Sequence, residues 1–99
     1  MIAYEVTING SKVAIAGLRQ GVVSAIANWI FVPSDVAEDP DKDWTASFSL
    51  AGLDDFASED LKWFRRDLKV GDEVVIRLIR TDHVDVPSER TKRLDDAEA

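Results

Sequence analysis

The stretch from Leu68 to Arg80 constrains the fold more than any other. It opens on a turn, Gly71-Asp72, and continues through Val74, Val75, Ile76, Leu78 and Ile79, with Arg77 as the one charge in the run. Most of these residues are β-branched, which suits an extended backbone, and the run is too short for a typical helix. A strand apolar on both faces is normally covered on both. The expectation is therefore a central strand with the rest of the chain arranged around it.

The neighbouring segments read as partners for that strand. Ile2, Tyr4, Val6 and Ile8 alternate with Ala3, Glu5 and Thr7, the period of a half-buried strand. Asn9-Gly10 follows. Both central residues of a type I′ turn need positive φ, and this pair tolerates it, so Lys12 to Ala16 is expected to return as the second strand of a hairpin, with Val13 and Ile15 inward. Val22 to Val32 reads two ways. As a strand, Val23, Ala25, Ala27, Trp29 and Phe31 make one wholly apolar face; as a helix, Gln20, Ser24 and Asn28 make a polar stripe. The predominance of Val, Ile, Trp and Phe, and the missing Ser, Thr, Asp or Asn cap, favour the strand.

Pro33 ends that element, and Ser34 to Asp43 reads as an exposed acidic loop. Trp44, Ala46, Phe48 and Leu50 then alternate with Thr45, Ser47 and Ser49, the clearest amphipathic strand in the chain. Ser58 is placed to cap a short helix from Glu59 to Arg66, with acids in its first turn and Arg65-Arg66 in its last. The fold class expected is mainly β: about five antiparallel strands, a meander curling toward a small barrel or sandwich, with one short helix. The alternative is α+β, with a helix at residues 20–31. Residues 1–86 read as a single β-rich domain and residues 87–99 as a flexible charged tail.

A chain of 99 residues makes one domain and can bury a working core without staples. It has no cysteine, which removes disulfides, thiolate metal sites and cysteine nucleophiles together. The N-terminal residues have neither the basic nor the apolar region of a signal peptide, and no apolar run approaches the roughly 20 residues that span a bilayer. A cytoplasmic protein is expected. The formal charge is -7. Between Asp35 and Asp60 the acids Asp35, Glu38, Asp39, Asp41, Asp43, Asp54, Asp55, Glu59 and Asp60 face Lys42 alone. That field disfavours nucleic acid and would attract a basic partner.

Candidate chemistry is thin. Asp39, Asp41 and Asp43 sit at alternate positions, as in calcium loops, but Trp44 stands where the turn glycine belongs and Leu50 where the bidentate glutamate belongs. His83 lies between Asp82 and Asp85, yet adjacent strand residues point to opposite faces and no nucleophile is near in sequence. Asp54-Asp55 and Glu59-Asp60 are explained more simply by helix capping than by a glycosidase pair. No GxSxG, GxGxxG, P-loop or HExxH motif occurs, so the chain reads as non-catalytic, with no metal and no cofactor. The basic residues Lys62, Arg65, Arg66 and Lys69, interleaved with Trp63 and Phe64, read as helix-end complementation rather than a nucleic-acid platform.

The tryptophans carry the functional expectation. If Val22 to Val32 is an edge strand, its apolar face needs a partner, either a second copy or a strand from another protein. Trp29, Ile26 and Trp44 are the apolar interaction candidates, and Asp39, Asp41 and Asp43 the polar ones. The reading is a non-catalytic acidic protein-interaction module, able to form a homodimer. The alternative is an acidic inhibitor or immunity-type protein blocking a basic site on a partner.

One set of segments resembles a group of small uncharacterised bacterial proteins: Ile8-Asn9-Gly10, Ala16-Gly17, Gly21 to Trp29, Ala51-Gly52-Leu53-Asp54 and Val70-Gly71-Asp72-Glu73. The likeness spans residues 2 to 80 and rests on turns and strands. It implies a bacterial cytoplasmic domain and transfers no catalytic residue.

Overall fold

The computed structural model describes residues 1–31 and 44–93. These form seven strands: β1 Ile2–Ile8, β2 Ser11–Gly17, β3 Gly21–Phe31, β4 Trp44–Asp54, β5 Glu59–Asp67, β6 Val74–Arg80 and β7 Glu89–Lys92. They make two antiparallel sheets, one ordered β2-β1-β6 and the other β3-β4-β5-β7. The mainly β class is as expected. The strands number seven rather than about five, the barrel does not close, and among the described residues there is no helix, including at residues 20–31.

Local chemistry accounts for the first sheet. Asn9 and Gly10 both have positive φ, 52° and 83°, so the β1–β2 turn is the mirror-image type that matches strand twist. Asn9 also ties this turn to the loop before β6. Its backbone N–H donates to the Glu73 carbonyl at 2.9 Å, and its side-chain oxygen accepts from the Glu73 N–H at 2.8 Å. Its amide nitrogen donates to Asp72 at 2.9 Å. A register shift in the hairpin makes Val13 a bulge, so Ala14 and Ala16, opposite Val6 and Tyr4, face the core. Ile15 lies opposite Glu5 on the outer face, against the expectation from simple alternation.

The second sheet hangs on β4. Phe48 and Leu50 are fully buried, and the hydroxyl face looks outward. Glu59 to Arg66 is strand β5, not a capped helix. Asp54 Oδ1 instead accepts the N–H groups of Phe56 and Ala57 at 3.0 and 3.1 Å, and Ser58 sits at φ 55°, closing a hairpin turn. A bulge at Trp63 lets Leu61, Trp63 and Phe64 all reach the core side, which a two-turn helix would not allow. Within the stretch 87–99, Glu89–Lys92 pair with β5, aided by ion pairs Lys62–Glu89 and Arg90–Glu59, both 3.4 Å.

The core joins Val6, Ile8, Ala14 and Ala16 of one sheet to Phe48, Leu50, Leu61 and Trp63 of the other. Among the described residues no polar or charged side chain is buried. The Leu68–Arg80 run does not occupy the centre. β6 is an edge strand beside β1, and Val75, Ile76 and Leu78 are exposed. Its two apolar faces reflect an uncovered flank rather than cover on both sides.

Candidate interaction surface

The sheets differ in length. β3 and β4 each have 11 residues and extend roughly 36 Å, while β1, β2 and β6 each have 7 and extend roughly 23 Å. The longer hairpin therefore overhangs the shorter sheet. Side chains directly opposite in a ladder share a face. Val23, Ala25, Ala27, Trp29 and Phe31 lie opposite Gly52, Leu50, Phe48, Ala46 and Trp44, so all five belong to the inner face. Val23 and Ala25 touch the core, but Trp29 is 73% exposed and Phe31 is also exposed.

The facing sheet is open on the same flank. Ile76 and Leu78 lie opposite Val6 and Tyr4, on the inner face of β6, yet Leu78 is 65% exposed. Leu78 and Val23 line one cavity of about 240 Å³ with Tyr4, Ala16 and Leu18. Trp29 and Trp44 line another groove of about 340 Å³ with Ala46 and the 68–72 loop. That loop is fixed by Leu68 N–H donating to the Ala46 carbonyl at 2.9 Å and by Asp72, whose Oδ2 accepts the Lys69 N–H at 2.7 Å. The Asn9 amide, then the Lys69 N–H, hold the Asp72 carboxyl below its ordinary value.

Ile26 does not join the tryptophans. It lies opposite Ser49 on the outer face, half exposed, in a row with Val22 and Ile30. The two faces of β3 thus carry separate apolar rows along one edge. Asp39, Asp41 and Asp43 lie outside the described residues. Asp35 and Glu38 also lie outside them; the four described acids of the 35–60 stretch are engaged locally: Asp54 closes a turn, Asp55 and Asp60 stand 3.7 and 3.9 Å from Arg93, and Glu59 pairs with Arg90.

The remaining candidates have structural partners. Asp85 accepts the Ile15 N–H at 2.8 Å, its own N–H donates to the Ile15 carbonyl at 2.9 Å, and its carbonyl accepts the Trp63 indole at 2.9 Å. Asp82 lies 3.7 Å from the N-terminal amine, and His83 donates its backbone N–H to Thr81 Oγ1. Trp63 is 7% exposed and offers no face to a base. Arg66 instead lies over the Phe64 ring, 5.3 Å from its centroid. Among the described residues no three His, Asp or Glu side chains converge as metal ligands, and no helix is long and apolar enough to cross a membrane.

Sequence reasoning missed Leu78 and Ile76, which it placed in the interior. The usable signal was strand length: an uncharged run of 11 residues, Gly21–Phe31, is longer than a facing strand of 7 can cover. No protein-family model matches this chain, and no curated protein or solved structure matches it.

Proposed function

We propose that this chain is a non-catalytic protein-interaction module that binds through the apolar flank of β3. One observation carries this reading. From Gly21 to Phe31 there is no charge and no proline, and the strand lies at a sheet edge with Trp29 standing 73% exposed. Natural edges are normally blunted by charge, proline, a bulge or cover. Among the described residues this edge keeps none of these, which suits strand addition, with backbone bonds for affinity and the rows of alternate side chains for specificity. Among the described residues the apolar reading stands ahead of an acidic inhibitor, because the described acids Asp54, Asp55, Glu59 and Asp60 already serve a turn and ion pairs with β7 and Arg93.

The test is a pull-down of the tagged chain from lysate of the encoding organism at low and high salt, beside the double variant Trp29→Ser, Ile30→Lys. Contacts through apolar surface and backbone survive high salt and are lost in the variant. Capture that vanishes at high salt and ignores the variant would overturn the reading in favour of the acidic surface.

A further inference from the structure

We infer that the occupant of the β3 edge is β3 of a second copy, paired antiparallel about a two-fold axis through Ile26; this rests on the interaction-module reading and names its partner. Ile26 is the midpoint of Gly21–Phe31, and the strand is self-complementary about it. On the outer face, Val22 of one copy meets Ile30 of the other, Ser24 meets Asn28, and Ile26 meets Ile26. Every pair matches like with like. The Asn28 side-chain oxygen already accepts from Ser47 Oγ at 3.1 Å, and its amide nitrogen is the donor that Ser24 would take. On the inner face, Gly21 meets Phe31 and Val23 meets Trp29, a smaller residue opposite a larger one in each, and Ala25 meets Ala27 between them. Cross-strand pairs of these kinds stabilise antiparallel sheets, and no charge is brought against a like charge.

The other edges do not offer this. β7 has four residues, all polar or charged, and β6 carries Arg77 and Arg80. β2 is bracketed by Asp85, whose N–H and carboxylate bond both backbone groups of Ile15. Among the described residues nothing pairs with the outer edge of β3. Pairing there joins two four-stranded sheets into one of eight. The exposed inner face of β6 lies beside the seam, since Leu78 and Val23 share a cavity. Val22, Ile26, Trp29, Ile30, Phe31, Ile76 and Leu78 leave on the order of 700 Å² of apolar side chain open along this flank, against the ~800 Å² per partner of a standard interface.

The chain contains no cysteine, so one introduced thiol reports the register. In Ile26→Cys the two thiols face each other with Cα atoms roughly 4.5–5.5 Å apart, within disulfide reach. Mild oxidation of the full chain should move the band from 11.0 kDa to twice that mass on a non-reducing gel, reversibly. Val22→Cys alone should not cross-link, because its copies stand roughly 26 Å apart along the strands. Val22→Cys mixed with Ile30→Cys should. Ile26→Lys sets two ammonium groups side by side, and is expected to run as a folded monomer with the circular dichroism of the unmutated chain. An unmutated chain that stays at 11.0 kDa up to about 1 mM would overturn the inference, even if a foreign partner were captured, and the interaction-module reading would survive. A dimer in which Ile26→Cys fails to cross-link would also overturn it, while leaving self-association through another contact.

Discussion

The two ends of the β3–β4 hairpin carry the same apolar alternation and meet different fates. Near Gly21 and Asp54, Val23 and Ala25 lie against the core beside Leu50 and Phe48. Near Phe31 and Trp44 the same face continues with larger residues, and Trp29 is mostly in solvent. Nothing in the ladder changes between the two ends. What changes is the sheet opposite, which is shorter. Alternation therefore tells which face of a strand is apolar, and the reach of the facing element tells whether that face becomes core or contact surface.

The contrast breaks most visibly in a pair of truncations. Phe48→Ala leaves a void among fully buried neighbours and should lower the unfolding free energy by about 3–5 kcal/mol in urea titrations. Trp29→Ala, on the same face two ladder positions from Ala27, the partner of Phe48, should change it by less than about 0.5 kcal/mol in dilute solution, yet weaken self-association at least tenfold in a sedimentation series. Equal destabilisation by both changes would show that Trp29 is core.

Between these extremes lies Gly52, opposite Val23. A Cβ there would stand 2.5 Å from the Val22 carbonyl oxygen and 3.0 Å from the Trp63 ring. Gly52→Ala should cost about 1–3 kcal/mol, because the backbone of β3 must shift. It should also reduce cross-linking of Ile26→Cys, since the free edge moves with the strand.

The smallest effect is a pH dependence at the open end. The Asp72 carboxyl is held below the ordinary 3.8, mainly by the Asn9 amide and then by the Lys69 N–H. A lowered native value means the carboxylate's contribution is present above pH 3.8 and is lost as the pH falls through that lower value. Acid titration followed by Trp fluorescence should show loosening of the 68–72 loop beside Trp29 and Trp44, and Asp72→Asn should flatten this limb. An unchanged acid limb in Asp72→Asn would detach the loop from Asp72.

Much of the architecture was legible. Asn9-Gly10 specifies its turn through positive φ, and the Trp44–Leu50 alternation marks its buried face. Two segments misled for physical reasons. Glu59 to Arg66 has charges placed as on a capped helix, but Asp54 closes a turn before it and the Trp63 bulge gives three apolar residues one side. The Val74–Ile79 run is apolar on both faces because its flank is open, and sequence alone does not separate that from burial on both sides. Trp29, Trp44 and Ile26 were singled out together, but the register sends Ile26 to the opposite face. Nothing in the residue types shows that Asp85 would serve the β2 edge, because that bond joins positions 70 apart.

The most direct measurement is amide hydrogen exchange of the unmutated chain over a hundredfold range of concentration. The outward amides of Val22–Phe31 should exchange quickly when dilute and become protected as concentration rises. The Ile15 amide, bonded to Asp85, should hold constant throughout. Rapid exchange along β3 at every concentration, in a folded chain, would contradict the claim that this edge is where a second copy binds.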